Sequence, residues 1–150
     1  MGFGNPARND DGIGIHVIEK LMPVFQGRDD IQVLDMGTSA FETLFKLKGA
    51  EQIIVIDAVV NSGKEPGSLF QLPAKEVESE LIDEPLVFLH SLKWSQALYY
   101  AKNILKDDYP DDNITAYLIA VDDIGFGVGI SPVVLKTGER LASILEKEYA

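Results

Sequence analysis

There is no cysteine in this chain, so disulfide staples, thiolate metal sites and cysteine nucleophiles are excluded together. Basic residues are scarce as well: 13 Lys and Arg stand against 24 Asp and Glu, for a net charge of -11. Such a balance repels nucleic acid and anionic membrane and raises the local concentration of cations. It also keeps a protein in solution, which is the plainer account of it. No apolar run approaches the length of a membrane span, and the N-terminus lacks a basic stretch leading into an apolar one. A cytoplasmic protein with no nucleic-acid and no membrane partner is therefore expected. Internal repeats and low-complexity segments are absent too, and 150 residues at 46% hydrophobic content fit a single globular domain, 1–150, with a substantial core.

What the chain does have is an unusual opening. Gly2-Phe3-Gly4-Asn5-Pro6-Ala7-Arg8-Asn9-Asp10-Asp11-Gly12-Ile13-Gly14 is a glycine-rich turn that ends in paired carboxylates, where a phosphate-binding loop would stay neutral or basic. Gly12 onward reads as the start of a helix, which puts Asp10 and Asp11 in its N-cap region. A carboxylate there takes up the free N–H donors and the positive helix end that a phosphate would otherwise claim. The spacing Gly2-x-Gly4-x-x-Ala7 matches the dinucleotide fingerprint loosely, so a non-catalytic dinucleotide-binding module is one reading. Against it, Asp35 lies 33 residues past Gly2, where a ribose ligand is expected about 20 residues on. A cation is the better ligand for this turn, and the plainest alternative is an aspartate that only caps the helix.

The order of elements reads as α/β. Ile13, Val17, Ile18 and Leu21 recur at helical spacing from about Gly12 to Met22, with His16, Glu19 and Lys20 on a polar, solvent-facing side. Ile31 to Asp35 reads as a short strand, and Ser39 with Glu42 has capping-box spacing for a helix through about Lys48. Ile53-Ile54-Val55-Ile56-Asp57-Ala58 is a β-branched run of the kind buried on both faces of a parallel sheet. Ser68 to Leu72 reads as a short, antiparallel strand, Ala74 to Leu81 as a weak helix, Ser91 to about Leu105 as another helix and Ile114 to Val121 as a fifth strand. An acidic, glycine-rich loop ends at Gly129, after which Ser131 caps a last helix with Pro132 in its first turn. The pattern predicts a three-layer α/β/α sandwich with a mixed, mostly parallel sheet. Its first strand is truncated, because only Met1 precedes Gly2.

In such sheets ligands sit beyond the carboxyl ends of the strands, and Asp11, Asp35, Thr38 and Asp57 all fall there. Asp57 is the sharpest, since an aspartate closing an apolar strand is costly to desolvate unless it is paired, hydrogen-bonded or metal-bound. Asp35 precedes Gly37-Thr38-Ser39 and reads as a brace of that turn through an Asx-type bond. His90 immediately precedes Ser91, at the positive end of the predicted helix, which favours a neutral, metal-competent imidazole. Asp11, Asp57 and His90 together would make a mixed O/N site suited to zinc, nickel or iron, with positions left open for another ligand. Each also has a bland account as a hydrogen-bonded group at a helix end.

Taken in order, Gly2-Phe3-Gly4-Asn5, Asp10-Asp11-Gly12, Asp35-Met36-Gly37-Thr38, Ile56-Asp57-Ala58, Pro66-Gly67, His90 and Gly129-Ile130-Ser131-Pro132 resemble the hydrogenase maturation endopeptidases over nearly the whole chain. The resemblance implies an endopeptidase that removes the C-terminal extension of a [NiFe] hydrogenase large-subunit precursor after nickel insertion. It implies that Asp11, Asp57 and His90 recognise that nickel, which is delivered by the substrate, so that the resting enzyme is metal-free. Neither a Ser-His-Asp or Cys-His arrangement nor His-Glu-x-x-His is present. A Lewis-acid role for the metal and general-base help from Asp11 or Asp57 both stay open. A related metal-binding peptidase acting on another precursor is the nearest alternative reading.

Overall fold

The computed structural model describes residues 1–77, 93–110 and 113–150. Its elements are β1 (Gly2–Phe3), α1 (Ile13–Phe25), β2 (Asp35–Gly37), α2 (Thr43–Lys46), β3 (Ile53–Val59), β4 (Leu69–Pro73), α3 (Trp94–Leu105), β5 (Ile114–Ala120) and α4 (Pro132–Tyr149). The five strands form one sheet in the order β2-β1-β3-β5-β4. Every pair is parallel except β4 with β5. The predicted α/β class and the mixed, mostly parallel sheet are both found, including the antiparallel fourth strand.

Side-chain alternation along the central strands sorts the core onto two faces. Ile53 and Val55 of β3, with Ile114 and Ala116 of β5, pack with Trp94, Ala97, Leu98 and Ala101 of α3 and with Phe3 and Leu47. Ile56 of β3, with Tyr117 and Ile119 of β5, packs with Ile13, Val17, Ile18 and Leu21 of α1 and Val134, Leu141 and Leu145 of α4. The same parity places Asp57 on the face covered by α3. Helix α1 lies so close to the sheet that a Cβ on Gly14 would stand 2.3 Å from the Phe3 carbonyl oxygen and 2.7 Å from that of Ile56. Only glycine admits that approach.

Strand β1 is indeed very short, and the ladder continues through its neighbours. The Gly2 N–H donates to Leu34 O, the Gly4 N–H to Gly37 O, and the Ile56 N–H to Met1 O, at 2.9 Å each. The strand expected over Ile31–Asp35 is found at Asp35–Gly37, because β1 presents partners only from Gly2 onward. The helix expected from Ser39 to Lys48 breaks into a 3-10 turn, Ala40–Glu42, and the single turn of α2, with no capping bond from the Ser39 side chain. Ala74–Glu76 is a 3-10 turn, while the remainder of the helix predicted to Leu81 lies beyond the described residues. Helix α3 begins at Trp94, where the Lys93 N–H donates to Gln96 Oε1 at 2.8 Å. Ser91, the cap expected from sequence, also falls outside the described residues.

Candidate functional site

The carboxyl ends of β1, β2, β3 and β5 open onto one edge of the sheet, and the turn after β1 is the part that draws it together. A 3-10 turn, Asn9–Gly12, precedes α1, whose N-cap is Gly12, and no side chain caps that helix. The plainer alternative, an aspartate that only caps α1, is therefore not what is found. The two carboxylates of the 3-10 turn bond to different places.

Asp10, only 3% exposed, reaches across to the start of α4. Its Oδ1 accepts the Ser131 N–H and its Oδ2 accepts the Ser131 hydroxyl, both at 2.7 Å. Ser131 does hold the N-cap position of α4, as predicted, but its hydroxyl is spent on Asp10 and makes no capping bond to its own helix. The carboxylate supplies that function from outside, against the positive end of an 18-residue helix. Asp11 instead turns back to the end of β1, where its Oδ2 accepts the Asn5 N–H at 2.9 Å. Gly4, at φ 145°, makes room: a Cβ there would stand 2.1 Å from the Asp11 carbonyl oxygen.

The loop after β5 is stitched to the same turn. Asn9, at φ 47°, donates its N–H to Gly127 O, and the Gly127 N–H donates to Ala7 O, both at 2.9 Å. Arg8 Nε donates to Ile124 O at 2.9 Å, and the Asn9 amide donates to the Asp123 carboxylate at 3.2 Å. Phe126 and Val128, each 92% exposed, project from this pinned loop, with the Arg8 guanidinium 5.8 Å from the Phe126 ring centroid.

Asp57, expected to close β3, lies two residues before its end at Val59, where it is half-buried near this edge. Its Oδ1 accepts the N–H of Ala58 at 2.8 Å, and its Oδ2 accepts the indole N–H of Trp94 at 3.0 Å. Burial pushes the Asp57 carboxyl up to about 7, against the pull of those two hydrogen bonds. The negative charge of Asp11 adds to the rise and Lys93 opposes it. The two aspartates singled out in the sequence thus sense each other electrostatically. Asp35 is exposed and accepts the Gly37 N–H at 2.8 Å, which is the turn-bracing role read from the sequence.

His90 lies outside the described residues, so the third expected ligand is not placed. Among the described residues no three His, Asp or Glu side chains gather closely enough to hold an ion. His16, expected in solvent, is half-buried. Its Nε2 is buried without a hydrogen-bond partner among the described residues, and the side chain borders a cleft with Pro6, Val128 and Ile130. Sequence reasoning missed Trp94. A tryptophan opening a helix is an ordinary core signal, and only the fold brings its N–H to a residue 37 positions away. The pairing of Asp10 with Ser131, 121 positions apart, was equally unreadable, although the Asp10-Asp11 doublet itself stood out.

A profile of the hydrogenase maturation protease family matches residues 15–148. The chain belongs to that family. Among curated relatives, the hydrogenase 2 maturation protease of Escherichia coli (strain K12) is 31% identical over 77 residues, 51% of this chain and 47% of that protein. The hydrogenase expression/formation protein HupD of Thiocapsa roseopersicina is 25% identical over 146 residues, 97% of this chain and 63% of that one. The matched stretches therefore span about half to 63% of these relatives' lengths. The fold is shared with the [NiFe] hydrogenase maturation protease HycI from Thermococcus kodakarensis KOD1, at a TM-score of 0.76 and 22% identity over 97% of this chain and 87% of that one. It is shared too with the hydrogenase maturating endopeptidase HybD from Escherichia coli, at 0.72 and 23% over 99% and 91%. Among the described residues no helix is long and apolar enough to cross a membrane.

Proposed function

We propose that this chain is an endopeptidase that removes the C-terminal extension of a [NiFe] hydrogenase large-subunit precursor, and that Asp11, Asp57 and His90 recognise nickel carried by that substrate. The observation that carries the reading is the state of Asp57. A half-buried carboxyl held up to about 7, with a second negative charge adding to the rise, is costly to ionise alone. A cation brought to the same edge removes both the desolvation cost and the repulsion from Asp11. Nickel already bound by the precursor has an incomplete ligand shell, so a few protein donors with open positions suffice to complete it. The cleft then favours only a metal-loaded precursor, and its charge acts as a check on maturation.

The chemistry follows from the same group. Hydrolysis adds the oxygen of water to the scissile carbonyl carbon, breaks the C–N bond and delivers a proton to the leaving amine. A carboxylate whose conjugate acid titrates near neutrality accepts a proton from that water more readily than an ordinary surface aspartate does. Asp57 serves as that base only where it is not itself a ligand of the metal, with Asp11 the alternative. Metal held beside the carbonyl would polarise it as a Lewis acid. Family names among the relatives support the precursor class, and the net charge of -11 suits a cationic target.

The test is incubation of the purified protein with nickel-loaded and nickel-free forms of a hydrogenase large-subunit precursor, with product mass read by mass spectrometry. Loss of a C-terminal peptide from the nickel-loaded form alone is expected. Equal cleavage of the nickel-free form would remove metal recognition from the account, and no cleavage of either would remove this substrate.

A further inference from the structure

We infer that Trp94 is a positioning residue for Asp57: its indole N–H holds one carboxylate oxygen in place so that the remaining lone pairs face the cation. The inference rests on the cation reading of this edge. Trp94 opens α3, is 5% exposed and packs its ring against Phe3, with centroids 6.5 Å apart and planes at 32°. Phe3 is the last residue of β1, and the segment after it leads to the Asn9–Gly12 turn that carries Asp11. The indole thus touches Phe3 at the end of β1 and Asp57 on β3.

Donor chemistry makes this contact suited to the task. A buried indole N–H needs an acceptor, and it has no acceptor capacity of its own. It therefore fixes the carboxylate without competing for a cation. Oδ1 is held by the Ala58 N–H at 2.8 Å and Oδ2 by Trp94 at 3.0 Å, so each oxygen keeps acceptor capacity for a ligand while rotation about the side chain is blocked. Alternation along β3 sends Asp57 toward the α3 face, where Ile53 and Val55 pack with Trp94. A phenylalanine at position 94 would fill that face comparably. What tryptophan adds is the directed N–H, and metal-ligand orientation by such partners typically carries about 10–100-fold in affinity.

Trp94 is the chain's one tryptophan, so its indole gives a single side-chain N–H signal in a nitrogen–proton correlation spectrum. The experiment uses Zn²⁺ alone as a diamagnetic probe, with calorimetry and that spectrum recorded at one fixed pH on the wild type, Asp57→Asn and Trp94→Phe. In the wild type the indole signal should move in step with Zn²⁺ saturation, and Asp57→Asn should abolish binding and shift the signal upfield. Trp94→Phe should weaken Zn²⁺ binding roughly tenfold or more. A wild-type indole signal that stays fixed while Zn²⁺ binds overturns the inference without using any variant. So does a Trp94→Phe protein that melts lower but binds as the wild type does, since that assigns Trp94 to packing alone. Absence of binding in the wild type, or equal binding by Asp57→Asn, also overturns the inference, while recognition of nickel held by the precursor is decided separately by the cleavage assay on loaded and nickel-free precursor.

Discussion

Asp10 and Asp57 lie at one edge of one sheet and are treated in opposite ways by the fold. Asp10 is nearly sealed from water and accepts two bonds of 2.7 Å from Ser131, one from the amide and one from the hydroxyl. Asp57 keeps partial contact with solvent, accepts bonds of 2.8 and 3.0 Å, and still has its carboxyl pushed up to about 7 by burial. The difference separates a carboxylate with both oxygens tied to one neighbouring residue from one that burial raises while it still meets solvent. Buried polar groups are stable when hydrogen-bonded, and Asp10 has both oxygens engaged. Asp57 is raised by burial despite its two bonds, and groups so perturbed concentrate where chemistry is done.

The comparison is broken most directly at the reactive end. Asp57→Asn should lower cleavage of nickel-loaded precursor by at least a factor on the order of a thousand, because even partners of metal ligands account for about 10–100-fold. Asp35→Asn, which changes only an exposed turn brace, should process at the wild-type rate. Equal losses in the two variants, measured in one assay, would show that the edge does not distinguish its carboxylates.

A second expectation concerns stability against pH. The folded protein holds the Asp57 proton up to about 7, whereas the ordinary carboxyl loses it at 3.8. Folding therefore binds that proton more tightly than the unfolded chain does. The resulting penalty is absent below pH 3.8, grows as pH rises, and is complete above about 7. Asp57→Asn, which cannot ionise, should be more stable than the wild type at pH 8 by on the order of 2–4 kcal/mol. The gap should close near pH 4, as read by denaturant titration at each pH. A gap that stays constant with pH would mean that the carboxyl ionises in the folded state as freely as in water.

The inert end sharpens the contrast. Asp10→Ala strands the half-buried hydroxyl and the N–H of Ser131, the N-cap of α4, and it should cost about 2–3 kcal/mol. The loss should appear as a lower urea midpoint with unchanged slope. Metal response should be retained at concentrations where the variant is folded. A variant as stable as the wild type would show that water replaces the carboxylate without cost.

How much of this was legible beforehand depended on how local its cause is. Ile53–Ala58 and Ile114–Val121 announced buried parallel strands because an unbroken β-branched run has few other stable uses. The start of α4 was readable from Ser131-Pro132 for a similarly local reason. Strand β2 was misplaced because its extent depends on the two residues that β1 presents. Asp11 and Asp57 were singled out by their positions at strand ends, and Asp35 was rightly set aside as a brace. Both the Trp94 contact and the Asp10 latch join residues that only the folded sheet brings together. The acidic doublet showed that something was held at the first turn, but which aspartate went inward was decided by a 3-10 turn with no distinct sequence signature.

The latch between Asp10 and Ser131 also has a clock in it. Amide protons in the first turn of a helix ordinarily lack partners and are lost to solvent deuterium quickly. The Ser131 proton is instead held by a buried carboxylate, so it exchanges only when the Asn9–Gly12 turn and the loop leading into α4 separate. Because Asp11 rides on that same turn, the lifetime of one amide proton at position 131 reports how often the whole edge comes apart.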